Sequence, residues 1–140
     1  MLTQLVLAAA VGAAPLGVVQ IRATHTVVET VERLSDLIRE HGLVVFARID
    51  FCADARAAGL TMRPEQLLIF GNPKGGTPLL LAAATSGLDL PLKVLIWEDP
   101  AGATWLAYNS TDYILRRHGV PPELAKNIQG ATALIADAAD

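Results

Sequence analysis

Apolar positions along the chain switch between two periods, and each switch marks an element. Leu16 to Ala23 carries Val18, Val19 and Ile21 in a short run that reads as a strand. Val27, Val31, Leu34 and Ile38 then recur at helical spacing, so one face of a helix is buried. Thr26 and Glu29 make a Thr-x-x-Glu capping box at its start, and Gly42 stands where such a helix ends. Leu43 to Ile49 is a second strand between Gly42 and Asp50. The Ala-rich stretch from Asp50 to Gly59 predicts a short helix before a loop at Thr61 to Pro64.

Gln66 to Phe70 is a third strand. The run Gly71-Asn72-Pro73-Lys74-Gly75-Gly76 is the strongest turn signal in the chain. It predicts a loop, after which Thr77 caps a helix with Pro78 at its first position, where a missing N–H costs nothing. That helix runs through Leu79, Leu80 and Leu81 and fades near Gly87. Leu92 to Trp97 and Thr104 to Tyr108 are two strands joined by a hairpin at Glu98 to Gly102. Asp112 to Arg117 is a short helix closed by Gly119. Pro121-Pro122-Glu123 opens a last helix with Leu124, Ile128, Ala131 and Ile135 as its buried stripe. Strands and helices do not alternate regularly, so the pattern predicts an α+β layer with a mainly antiparallel sheet of about five strands rather than a doubly wound fold. No internal repeat, low-complexity linker or second domain interrupts residues 16–140.

Composition narrows the function classes. Of 140 residues, 52% are hydrophobic and 18% charged, which excludes a disordered, solvated chain. The net charge of -3 and the lack of a basic stripe argue against a nucleic-acid partner. Cys52 is alone, which excludes an intramolecular disulfide and a multi-cysteine metal knuckle. His25, His41 and His118 are too dispersed for a local metal motif, so no metal and no cofactor are expected. His41 and His118 each precede a helix-ending glycine, where a cation suits the helix dipole.

The first charged residue is Arg22, and residues 1–15 form a hydrophobic N-terminal extension. Three readings stay open. A signal peptide would cleave near Ala8-Ala9-Ala10 or Val11-Gly12-Ala13 and export the protein to the periplasm, although the positive n-region is missing. A membrane anchor needs about 20 apolar residues, and Gly12, Pro15, Gly17 and Gln20 interrupt this run. An ordered element packed on the domain or on a second subunit leaves the protein cytoplasmic.

The segment from Gly71 to Thr77 is the best candidate for binding chemistry. A strand passing into a helix start there aims free N–H groups and the helix dipole at the turn, where an anion can sit with Lys74 as a point charge. It is not a Walker A loop, because Thr77 and Pro78 follow Gly76 where Lys and Ser or Thr are required. The structural reading is that the glycines and prolines merely turn the chain and Thr77 merely caps. Asp50 ends an apolar strand, where a carboxylate acts as a base, binds a cation or, more often, caps the next turn. Cys52 lacks a nucleophile signature. Glu98 and Asp99 are neighbouring carboxylates at a hairpin corner, which are usually solvated. Trp105 and Tyr108 lie on opposite sides of one strand, so only one of them can share a face with Trp97. Arg116 and Arg117 read as a solvated helix face.

Several blocks of residues resemble a known family. Leu67-Leu68-Ile69-Phe70-Gly71-Asn72-Pro73-Lys74, Gly76-Thr77-Pro78-Leu79, Leu88-Asp89-Leu90-Pro91-Leu92-Lys93 and Trp97-Glu98-Asp99 fall in the order found in the bacterial domain of unknown function 302 family, and Ile49-Asp50, Tyr108-Asn109 and Arg117-His118-Gly119 also fit its pattern. The resemblance covers the chain from about Leu16 to its end. It implies a curved antiparallel sheet with helices packed on one face, similar to half of the TATA-binding protein. It implies no established biochemical function. Where the family often has His after the Ile-Asp pair, this chain has Phe51 and Cys52, so a role resting on that histidine has no residue to carry it.

Three functions follow as expectations. The first is a non-enzymatic small-ligand or partner-binding module, with an anionic or amphipathic ligand held at Gly71, Asn72, Lys74, Gly75, Gly76 and Thr77 and flanked by Asp50, Tyr108 and Asn109. The second is a small hydrolase or isomerase using Asp50 with Lys74 or Tyr108, which requires those groups to converge. The third is an assembly protein. High hydrophobicity in a small chain favours a homodimer. Membrane contact is expected only if the N-terminal extension is an anchor.

Overall fold

The helix start expected at Thr26 forms. Glu29 N–H donates to Thr26 Oγ1 at 3.2 Å, and Val27–Glu40 is helix α1, with Val31, Leu34 and Ile38 fully buried. In the computed structural model, which describes residues 14–140, the remaining elements are β1 Val18–Ala23, β2 Val44–Asp50, α2 Phe51–Ala57, β3 Glu65–Gly71, α3 Pro73–Ala82, β4 Leu92–Glu98, β5 Thr104–Asn109, α4 Thr111–His118 and α5 Lys126–Ala139. Short 3-10 turns cover Ala84–Leu88 and Pro122–Ala125. The signal, anchor and packing readings of the N-terminal extension fall on residues that lie mostly outside the described ones.

The five strands form one open antiparallel sheet in the order β1-β5-β4-β3-β2. The chain is thus α+β with a mainly antiparallel sheet, as the pattern of apolar positions predicts. Alternation puts Leu68, Phe70, Val94, Ile96 and Leu106 on one face, where they join the buried side chains of α1 and α5 in a single core. The other face carries Leu67, Ile69, Leu95, Trp97 and Trp105, all half-buried. Trp97 pairs with Trp105 across β4 and β5, and their rings stack with centroids 6.5 Å apart. Tyr108 belongs to the opposite face, packed against the core.

Three boundaries differ from the sequence reading. Helix α3 begins at Pro73, not at Thr77. Asn72 is its cap, accepting from Lys74 N–H at 3.0 Å, and Pro73 takes the first position, where proline is best tolerated. Thr77 and Pro78 therefore sit inside the helix, and Pro78 removes one interior N–H. Helix α3 also ends at Ala82 and leaves a separate 3-10 turn before β4. The prolines at 121 and 122 open a 3-10 turn, so the last α-helix starts only at Lys126, and Leu124 packs from the turn rather than from the helix.

Candidate functional site

A groove of about 480 Å³ opens between α3, the start of β2, the Leu90–Leu92 segment and α5. Its walls are mainly apolar, with Leu43, Phe46, Leu80, Leu90, Ile128 and Leu134 among them. Three local features create it. A β-bulge between Val45 and Ala47 leaves Phe46 unpaired on β2, and this residue, 48% exposed, lines the groove. At Gly75 the two helices nearly touch. A Cβ there would stand 2.5 Å from the backbone oxygen of Asn127, whose Nδ2 donates to Gly75 O at 3.2 Å. Gly76 and Gly130 line the groove with open space where a Cβ would point.

Polar groups lie at a few points of the groove, namely His41, Asn72, Thr77, Lys126 and Asn127. Lys126 makes no ion pair among the described residues. The surroundings therefore suit a ligand with an apolar body and one acidic group.

The residues expected to form the site divide into three places. Gly71, Asn72, Gly76 and Thr77 line the groove, while Lys74 and Gly75 do not. The free N–H groups expected there are engaged. Lys74 N–H donates to Asn72 Oδ1, and Gly75 and Gly76 N–H donate to Asn72 O at 3.0 and 2.8 Å. Earlier onset of the helix is the reason, since the presumed loop is its first turn and satisfies its own donors. Asp50 is at the far end of β2, opposite Gln66, five residues along β3 from Gly71 and so roughly 16 Å away. There it caps α2, accepting from Ala53 N–H at 2.9 Å. Tyr108 and Asn109 are on β5, three strands from Asp50 and so roughly 14 Å or more distant. They line a separate hollow of only about 20 Å³ with Asp89 and Lys93. Burial pushes the Tyr108 hydroxyl above its ordinary pKa. Asp50 with Lys74 or Tyr108 therefore makes no convergent acid–base pair.

A polar cluster near α4 escaped the sequence reading. Asp89, on the turn before β4, receives Arg117 Nη1 on both oxygens at 3.2 and 3.0 Å. It also pairs with His118 Nε2, and Thr85 Oγ1 is 2.9 Å from His118 Nδ1. The His118 and Asp89 side chains are 4% and 8% exposed, so their contacts are shielded from water. Arg117 is thus partnered rather than only solvated, and His118 is held by a carboxylate beyond any dipole effect. Two of the blocks named in the family resemblance each hold one part of this cluster, but nothing in the spacing joins Leu88-Asp89 to Arg117-His118.

The hairpin corner is structural. Asp99 accepts from Ala101 N–H, Ala103 N–H and Trp105 Nε1, each at 2.9 Å. These bonds, the Trp105 one foremost, hold its carboxyl below the ordinary value. A depressed folded-state pKa means that the unfolded chain binds the proton more readily. The stabilisation is therefore present above the usual carboxylate value and is lost as pH falls through the folded value. Asp99→Asn is expected to lower Tm at neutral pH and to flatten its fall on acidification, which a Tm series between about pH 6 and 2 would measure.

The fold and site define a small α+β domain with an open antiparallel sheet, helices over its core face and an apolar groove at one end. The chain belongs to the family described as domain of unknown function DUF302, whose model matches residues 19–138. A solved structure described as an uncharacterized conserved DUF302 protein from Bacillus stearothermophilus superposes with a TM-score of 0.73, covering 90% of this chain and 98% of that one at 19% identity. That likeness concerns the fold. Proteins named fluoride-specific ion channel FluC 1 from Brucella suis and Brucella abortus are 42% identical over 104 residues, which is 74% of this chain and 41% and 38% of those proteins. The chain therefore spans about two fifths of the length of these relatives.

Proposed function

We propose that the protein is a small-ligand-binding module whose ligand is an amphipathic acid lying in the groove between α3 and α5. The observation that carries this reading is the groove itself, with about 480 Å³ of mainly apolar space, within the range of small-molecule sites. Lys126 at the start of α5 would meet the acidic group, and Phe46, Leu80 and Leu134 would cover the apolar body. Gly71, Asn72, Gly76 and Thr77 contribute walls rather than an anion cradle.

Gly130 provides the test, because a side chain there enters open space and a helix prefers it to glycine. Gly130→Leu is expected to fill the groove, to keep or raise Tm, and to weaken binding of a medium-chain fatty acid probe at least ten-fold. Titration calorimetry of wild type and variant reads the difference. Wild type that binds no such acid, or a variant that binds it equally well, would dismiss the groove as the site.

A second reading rests on the Brucella relatives, in which the matched stretch lies within longer proteins named as fluoride channels. On that reading the domain is an accessory module of a membrane ion channel. Deleting the matched stretch from a Brucella protein and measuring fluoride efflux would test it, and unchanged efflux and expression would remove the support. For the expected homodimer we propose the half-buried sheet face around Trp97 and Trp105 as the interface, and a monomeric mass by sedimentation at high concentration would refute it.

A further inference from the structure

We propose that Thr85, His118 and Asp89 form a nucleophilic relay for acyl transfer from small oxygen esters, at a place separate from the groove. The argument starts from proton positions. An ionised Asp89 only accepts hydrogen bonds, so the His118 Nε2 facing it carries a proton. Arg117 Nη1 also donates to both oxygens of Asp89, which act as acceptors in both contacts. In the Nε2–H tautomer His118 has its lone pair on Nδ1, where the Thr85 hydroxyl, 2.9 Å away, donates to it. A hydroxyl bonded to an imidazole whose far nitrogen is bonded to a buried carboxylate has the connectivity of a Ser-His-Asp triad, with the two imidazole nitrogens exchanged.

Accessibility has the polarity such a relay needs. Thr85 is exposed on its 3-10 turn, whereas the His118 and Asp89 side chains are almost wholly buried. The imidazole therefore reaches solvent through the Thr85 hydroxyl.

In the step itself, Thr85 Oγ1 attacks the ester carbonyl carbon while its proton passes to His118 Nδ1. The resulting imidazolium is stabilised by Asp89. The bond from carbonyl carbon to alkoxy oxygen breaks, and the leaving alcohol takes the proton from Nδ1. Water, deprotonated by the same nitrogen, then attacks the acyl carbon, the bond to Thr85 Oγ1 breaks as Oγ1 takes the proton back from Nδ1, and the acid is released. Thr85 and His118 are the catalytic residues, and Asp89 and Arg117 are positioning residues.

The test treats the full chain with p-nitrophenyl acetate and reads p-nitrophenolate release together with peptide mass spectrometry. Acetyl is expected on Thr85. Thr85→Val, which keeps the shape at an exposed position, should abolish it, and Thr85→Ser should retain it. His118→Gln should slow labelling by about 100-fold or more. Asp89→Asn should slow labelling, and Asp89→Glu should restore part of the rate, because a neutral amide does not stabilise the imidazolium formed in the step. Labelling of other residues alone, or equal labelling in folded Thr85→Val, overturns the proposal. The two Thr85 variants decide it even if the Asp89 variants unfold.

Discussion

Phe70→Ala is expected to cost the domain about 3–5 kcal/mol and to lower Tm by roughly 10–20 °C. Phe70 is fully buried on β3, between Val45 on β2 and Leu92 on β4, and its ring belongs to the core that joins the sheet to α1 and α5. Truncation removes the transfer free energy of an aromatic side chain and leaves a void that strands paired on both sides close only in part. Phe46, on the bulge of the neighbouring edge strand β2, provides the contrast. It is 48% exposed, so Phe46→Ala should cost about 1 kcal/mol or less in stability while weakening any ligand of the groove. Chemical denaturation of the two variants separates them. If Phe46→Ala destabilised as much as Phe70→Ala, the groove wall would be core rather than binding surface.

The same pair shows what the sequence could and could not disclose. Val27, Val31, Leu34 and Ile38 are legible because a helix repeats its buried face on a fixed period, and all four are buried. The hairpin strands and the separation of Trp97 and Trp105 from Tyr108 are legible because strand alternation is local. The start of α3 was not legible, since two glycines and two prolines spell a turn by composition, yet Asn72 and Pro73 cap a helix strongly enough to absorb them. The groove depends on a bulge at Phe46 and on the approach of α3 to α5 at Gly75, both settled by partners distant in the chain. The Asp89 cluster is non-local for the same reason, as 28 residues separate Asp89 from Arg117. Local patterns thus specify elements, whereas sites are assembled by their packing.

Asp89→Ala tests that assembly directly. The carboxylate accepts from the half-exposed Arg117 guanidinium and from His118, whose side chain is 4% exposed. Removing it leaves the Nε2–H of His118 without its acceptor inside the protein and turns the Arg117 charge back to water. Breaking a buried pair costs about 3–5 kcal/mol. Here the lower end applies, because the half-exposed Arg117 can rehydrate, so a loss of about 3 kcal/mol and roughly 10 °C in Tm is expected. Asp89→Asn keeps one carbonyl acceptor and should cost less, about 1–3 kcal/mol. Arg117→Ala leaves the shielded His118–Asp89 contact in place and should cost least of the three. Equal losses in Arg117→Ala and Asp89→Ala would mean that the arginine, not the histidine, ties the Ala84–Leu88 turn to α4. The expected order would instead make the imidazole–carboxylate contact the fixed point from which Thr85 is presented to solvent.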